Sequence, residues 1–236
     1  MEEYLERYRP IVGDAVIHHL RQLARPLRGL RVVHVNSTRE GGGVAEILQC
    51  LVPLKQSLGL DVAWEVIGGN PDFFECTKKM HNTLQGNRVS LSKALLKNYE
   101  ETNRHNFERL EDVLKEADVV FIHDPQPAPL LRYCDRRRGK WIWRCHIDVS
   151  HPYRPVWKYL RDFVSPYDAS IWSLSSFAQT LPHPMYLIPP SIDPLSEKNR
   201  DLDPLELAAA HDKWGLDPDR PIITQVSRFD RFKDPL

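Results

Sequence analysis

LRVVHVNSTREGGGVAEILQCLVPLKQSLGLDVAWEVIGG, Leu30 to Gly69, is the stretch that decides the fold. It opens on a short β-branched run, Leu30 to Ser37, apolar enough to be buried on both faces as parallel strands are. Glu40, Gly41, Gly42 and Gly43 follow directly. Val44 to Gly59 then reads as a helix, with Gly59 as its stop and Pro53 inside it as a place to kink. Asp61 to Gly69 reads as a second strand. Strand, glycine loop, helix, strand is one βαβ unit, and such crossovers are almost always right-handed. The fold class is therefore α/β: a Rossmann-like parallel sheet flanked by helices.

The same alternation continues outward. Upstream, Gly13 to Leu27 carries Val16, Ile17, Leu20 and Leu23 at helical spacing. Downstream, helices are predicted within Pro71 to Gly86 and over Ser92 to Lys115, then a strand at Val119 to Ile122 and a Pro-rich rigid loop. A short helix at Leu130 to Arg138, a strand at Trp141 to Cys145, a helix at Pro155 to Val164 and a strand at Ala169 to Leu174 follow. Ser175 to Thr180 reads as a short helix start and Tyr186 to Ile188 as a last strand. Beyond a proline-locked linker, Pro204 to Trp214 reads as a helix capped by Asp203, with Pro204 at its first position. Pro221 to Phe229 reads as a fresh strand. A strand that opens a new βα unit lacks the helices its faces require. The expected organisation is one Rossmann-like domain over 1–189, then a linker and the truncated start of a second Rossmann-like domain over 190–236.

Composition excludes several classes. The 236 residues carry 32 basic and 32 acidic side chains, so no global field favours nucleic acid or an anionic membrane. Arg136, Arg137 and Arg138 sit beside Asp135 and read as solvated surface. The N-terminus, MEEYLERYRP, has no apolar core of a signal peptide, and no apolar run approaches the roughly 20 residues of a membrane helix. Cys50, Cys76, Cys134 and Cys145 form no CxxC pair, which suits free thiols in a reducing compartment. The reading is a cytoplasmic protein.

The residues that can carry chemistry fall at predicted strand ends. Gly41, Gly42 and Gly43 let backbone come close to a ligand and open a helix whose free N–H groups suit an anion. The pattern is neither GxGxxG nor a P-loop, and a turn that only packs the helix on the sheet has the same composition. His123 and Asp124 follow one strand; His146 and Asp148 follow the next. If those strands are neighbours, both pairs and the glycine loop converge on one crevice. Imidazole and carboxylate groups suit sugar hydroxyls, and Arg144 can add charge-assisted hydrogen bonds. A zinc site from Cys145, His146 and Asp148 lacks regular ligand spacing. Arg228 and Lys233 could clamp a diphosphate, or form a solvated pair balanced by Asp230 and Asp234.

In this order the segments resemble the retaining glycosyltransferases of GT-B fold that include sucrose-phosphate and trehalose synthases. IPPSID, from Ile188, resembles that family's interdomain segment, and SRFDRFKDP, from Ser227, resembles its phosphate-clamping element. GGGVAEIL, HDPQPAP and WRCHIDVS are most similar to the trehalose synthases within it. The resemblance spans almost the whole chain. It implies transfer of glucose from a nucleotide-glucose (UDP, ADP or GDP) to free glucose, reversibly, to give trehalose. It further implies that the Gly41–Gly43 loop with Glu40 meets donor phosphate and acceptor sugar, and that His146 lies near the transferring glucose. His123, Asp124, Arg144 and Asp148 would line the acceptor pocket, with Arg228 and Lys233 neutralising the departing diphosphate.

Ser227 stands before Arg228 where the family has Ser or Gly, and Asp234 stands where Gly is common. The family's paired-glutamate element and most nucleotide-base contacts are expected beyond Leu236, so this chain alone is expected to have little or no transferase activity. No tightly bound cofactor is expected; a Mg²⁺ riding on the diphosphate would leave no motif here. The exposed start of the second domain leaves room for a homodimer. Three alternatives stay open: a different sugar acceptor, as in a sucrose-phosphate-synthase-like enzyme; a non-catalytic sugar-binding module; and an NAD-dependent oxidoreductase, which lacks both GxGxxG and the acid after the second strand.

Overall fold

Six short runs rich in β-branched and aromatic residues pair side by side, all in parallel. They are β1 (Arg31–Asn36), β2 (Asp61–Val66), β3 (Val119–His123), β4 (Lys140–Arg144), β5 (Ala169–Trp172) and β6 (Met185–Leu187), in the order β2-β1-β3-β4-β5-β6. The reversal of order beside β1 is the topological switch point at which open α/β sheets bind ligands. The computed structural model describes residues 2–227, in two compact units that meet between Asp193 and Pro194.

Eight α-helices are described: α1 (Glu2–Glu6), α2 (Arg9–Ala24), α3 (Gly43–Ser57), α4 (Pro71–Leu84), α5 (Lys93–Glu116), α6 (Leu130–Tyr133), α7 (Arg154–Val164) and α8 (Pro204–Trp214). Local chemistry starts several of them. The Asn70 side chain accepts from the N–H of Phe73 at 2.8 Å to open α4, and Ser92 caps α5 through the N–H of Leu95.

The two sheet faces differ in kind. On one, Val33 and Val35 of β1, Val120 and Ile122 of β3, and Trp141 and Trp143 of β4 form a continuous apolar layer. It packs against α4 through Phe73 and Met80, α5 through Phe107 and Leu110, and α7 through Trp157 and Leu160. The other face begins the same way: Val32 and Val62 pack on Leu48 and Val52 of α3. Toward the carboxyl edge that face turns polar. The period of two puts His34, Asn36 and His123 in line with Val32 and Val119, and register puts Arg144 opposite His123.

Several expected elements shift. The first long helix starts at Arg9, not Gly13; Gly13 (φ 78°) breaks it, and a 3-10 turn at Arg25–Leu27 closes it around Pro26. Of its apolar residues Ile17 is buried, whereas Val16 and Leu23 are exposed. The helix expected from Leu130 to Arg138 stops at Tyr133, before the charged run Asp135–Arg138, and the Ser175 segment is a single 3-10 turn, Ser175–Phe177. All four cysteines are free thiols, with Cys76 and Cys145 buried.

In the second unit, α8 opens on a full capping box. Asp203 Oδ1 accepts from the N–H groups of Leu205 and Glu206 at 2.8 and 2.9 Å, and the Glu206 carboxylate accepts from the N–H of Asp203. Gly215 (φ 61°) ends the helix. The strand expected at Pro221 to Phe229 is not formed over residues 221–227. No described strand lies beside residues 221–227, and a strand without a neighbouring strand has no ladder to hold it. No described helix is long and apolar enough to cross a membrane.

Candidate functional site at the carboxyl ends of β1, β3 and β4

The parallel register builds a diagonal of histidines. His34 lies opposite Phe121, and His123 stands two residues further along β3 on the same face. His123 lies opposite Arg144, and His146 is two residues beyond that. Each step moves one strand across and two residues toward the carboxyl edge. His34 Nδ1 and His123 Nε2 share a hydrogen bond of 2.9 Å; His123 Nδ1 and His146 Nε2 share one of 3.0 Å. The inner end is closed by Lys55 of α3, whose Nζ is 2.9 Å from His34 Nε2 and lies 4.4 Å from the centre of the Phe121 ring. His34 stacks on that same ring at 4.7 Å.

Burial shapes the charges. It is the main cause that holds the His34 and His123 imidazoles well below their ordinary range. Lys55 adds to the effect on His34; His34, His146, Arg144 and Lys55 add to it on His123. His146 is pushed down to about 3, by burial and then by the Arg144 cation. Lys55 is lowered to about 8 by burial. The three rings are therefore neutral at neutral pH, and the lysine carries the proton.

Asp124 joins the exits of β3 and β4. Its φ of 63° is left-handed, a conformation Asp tolerates better than most residues. Its N–H donates to the carbonyl of Arg144 (2.9 Å), its carbonyl accepts from Trp143 Nε1 (3.0 Å), and its Oδ1 accepts from the N–H of His146 (2.7 Å). Burial pushes its carboxyl up to about 7, against the lowering effects of the His146 N–H and Arg144. Arg144, also buried, donates to the carbonyl of Ile188 at 2.6 Å and so ties β4 to the segment after β6. Asp148 is spent locally: its Oδ1 accepts from the N–H of Ser150 at 2.8 Å, shaping the loop after His146.

The glycine loop sits at the exit of β1, one strand over. Gly41 (φ 72°) and Gly42 (φ 85°) need the backbone freedom of glycine, whereas Gly43 already lies in α3. A Cβ at any of the three would meet nothing within 4 Å, so the loop faces open space. It is held from the side: Asn36 donates to the carbonyl of Thr38, Arg39 donates to the carbonyl of Trp64 and lies over its ring, and Trp64 Nε1 donates to Asn36. Glu40 is exposed, its N–H donating to Thr38 Oγ1.

The structure thus joins His123, Asp124, Arg144 and His146 directly, with Asp148 in the adjoining loop and the glycine loop beside them. Arg228 and Lys233 lie outside the described residues. Two members of the cluster were missing from the sequence reading. His34 hides inside a valine run that reads as plain core. Lys55 continues the inward stripe of Leu48 and Val52 at helical spacing, and a lysine on an apolar stripe was the available signal. A separate cavity of about 420 Å³ lies on the flank of α5, between Lys97, Arg104, Tyr133 and Tyr159. Its lining contains none of these groups. Among the described residues no three His, Cys, Asp or Glu side chains converge to hold a metal ion; the histidines form a line rather than a cage.

With this geometry in place, comparison with known proteins is informative. Residues 34–179 match the family model described as trehalose synthase, N-terminal domain. The span runs from His34 past the whole cluster. Trehalose synthase of Thermococcus litoralis is 47% identical over 97% of this chain and 56% of its own length. Trehalose synthase of Rubrobacter xylanophilus is 44% identical over 98% of this chain and 57% of its own. Trehalose phosphorylase of Pleurotus pulmonarius is 30% identical over 97% of this chain and 36% of its own. The chain spans little more than half the length of the two trehalose synthases. A match running through more than half of the chain, and through every strand that builds the histidine diagonal, makes this chain a member of the trehalose synthase family, with residues 34–179 corresponding to its N-terminal domain.

Proposed function

We propose that this chain is the acceptor-side half of a retaining, GT-B-type glycosyltransferase that makes trehalose from a nucleotide-glucose and glucose, reversibly. One observation carries the reading: the family match covers a polar cluster in which His123 meets His146 at 3.0 Å and Asp124 bonds the backbone of His146 and Arg144 at 2.7 and 2.9 Å. Pre-fixed donors and acceptors are what recognition of a hydroxyl-rich ligand requires, because they need no reordering when the sugar arrives.

In this reading His146, half-buried at the mouth, stands against the transferring glucose. His123 and Asp124 line the acceptor pocket, while Arg144 and Asp148 hold its walls. The open space over Gly41–Gly43 receives the donor phosphate at the start of α3, where unpaired N–H groups favour an anion. Arg228 and Lys233 would stabilise the negative charge that grows on the leaving diphosphate. A Mg²⁺, if the reaction uses one, is assigned to the diphosphate itself. The nucleotide is left as UDP, ADP or GDP.

Calorimetric titration of the chain with glucose, trehalose and UDP in turn, repeated on His146→Ala, tests this. Glucose or trehalose binding that is lost in the variant supports the reading. Sugar binding unchanged in His146→Ala, or no sugar binding at all by the folded chain, removes the acceptor assignment. The likeness to a trehalose phosphorylase makes inorganic phosphate the control ligand: competition by phosphate but not by UDP would favour phosphorolysis over nucleotide-sugar transfer.

A further inference from the structure

The line Lys55–His34–His123–His146 has a direction. An ammonium group has three hydrogens and no lone pair, so Lys55 can only donate to His34 Nε2, 2.9 Å away. A neutral His34 must then carry its hydrogen on Nδ1, and that nitrogen faces His123 Nε2. His123 in turn must carry its hydrogen on Nδ1, which faces His146 Nε2. The order ends at His146, whose hydrogen is left on Nδ1. Among the described residues no group partners that nitrogen, and His146 is half-buried at the edge of the crevice.

We propose that Lys55, acting through His34 and His123, fixes the tautomer of His146 so that its Nδ1 presents a hydrogen to an oxygen lone pair of the bound sugar. Lys55, half-buried, and His34, buried, are then positioning residues that touch no ligand. The charged groups that face the line agree with it. Lys55 from α3 and Arg144 from β4 are both cations, which oppose protonation of the rings between them. Asp124, the carboxyl at the β3 exit, is engaged by the His146 backbone N–H rather than by a ring nitrogen. The opposite order, with every ring carrying its hydrogen on Nε2, needs a lone pair on Lys55 and so needs the neutral amine. Lys55 is held near 8, so the ammonium form prevails at neutral pH and both orders open above that value.

Long-range ¹⁵N–¹H correlation of the imidazole rings in the 236-residue chain reads the tautomers directly. At neutral pH, Nδ1–H forms are expected for His34, His123 and His146 together. Raising the pH through about 8 is expected to bring in the Nε2–H form of His146. Lys55→Met should abolish the single Nδ1–H form of His146, and Lys55→Arg, which keeps a donor, should restore it. An Nε2–H form of His146 in the unmodified chain at neutral pH overturns the proposal, and so does an unchanged His146 spectrum in a folded Lys55→Met chain. If that variant does not fold, the pH series on the unmodified chain decides by the same criterion. What the hydrogen meets rests on the sugar reading above, but the spectra need no ligand. Failed sugar titrations with intact Nδ1–H signals remove the sugar reading alone; the wrong tautomer removes this inference alone.

Discussion

The two faces of one sheet, built from the same six strands, follow opposite rules. The face under α4, α5 and α7 is predominantly apolar, with Trp141, Trp143 and Trp172 fully buried and the buried Ser170 accepting from Trp172 Nε1. The face under α3 is apolar only at its amino end, where Val32, Val62, Leu48 and Val52 meet, and polar from His34 onward. Burial on the first face is stabilising at about 25 cal/mol per Å² of apolar surface. Burial on the second is costly unless each polar atom finds a partner, and the paired rings, amides and ammonium supply those partners. One face thus holds the fold together, and the other spends part of that stability on holding a site in one arrangement.

The largest expected effect breaks the first face. Trp143→Ala, which removes a ring packed edge-on against Trp172 and stacked with Trp157, should cost about 3–5 kcal/mol in urea unfolding. A loss under about 1 kcal/mol would mean that this layer is not the principal core.

The second test sharpens the contrast through pH. His34, His123 and His146 have folded pKa values below the unfolded 6.5, so the unfolded chain takes up more protons and stability falls as pH falls below about 6.5. Asp124, raised to about 7 from 3.8, acts the other way: its contribution is lost as pH rises between those values. His183 is lowered by burial as well, so histidines outnumber Asp124 and unfolding takes up protons on balance between about 6.5 and 4, with stability falling as pH falls across that window. A stability profile flat across that window would show that the histidines are not buried neutral.

The smallest effects lie in the loop. Gly42→Ala forces a side chain into φ 85°, ψ 154° and should cost about 1–3 kcal/mol. Gly43→Ala meets no atom within 4 Å, has no positive φ and should change stability by less than about 0.5 kcal/mol. Equal costs at the two positions would contradict the observed turn.

How far these faces can be read in the sequence depends on the range of the forces. The βαβ unit from Leu30 to Gly69 and the capped helix at Asp203 are local patterns, and both are found within three residues of where they are read. Asp203 and Glu206 need only each other and the backbone between them. The convergence of His123, Asp124, Arg144 and His146 was accessible because each follows a strand end. His34 was not: a histidine between valines looks like core until β3 supplies Phe121 and His123 beside it, 87 and 89 residues away in number. The run from Pro221 failed for the same reason in reverse. Its β-branched residues favour a strand, but pairing needs a partner that no propensity supplies.

The two-residue stagger between successive histidines has a consequence for how this region tolerates change. Residues one apart on a strand look to opposite faces, so a one-residue deletion early in β3 would turn His123 into the tryptophan layer and bring Asp124 into its place. Substitutions in β1, β3 and β4 can be absorbed one at a time, but their reading frame cannot slip. Lineages that lengthen or shorten this domain are therefore expected to do so in the connections, above all between Asn87 and Ser92 or around Arg136, where a changed count leaves the stagger untouched.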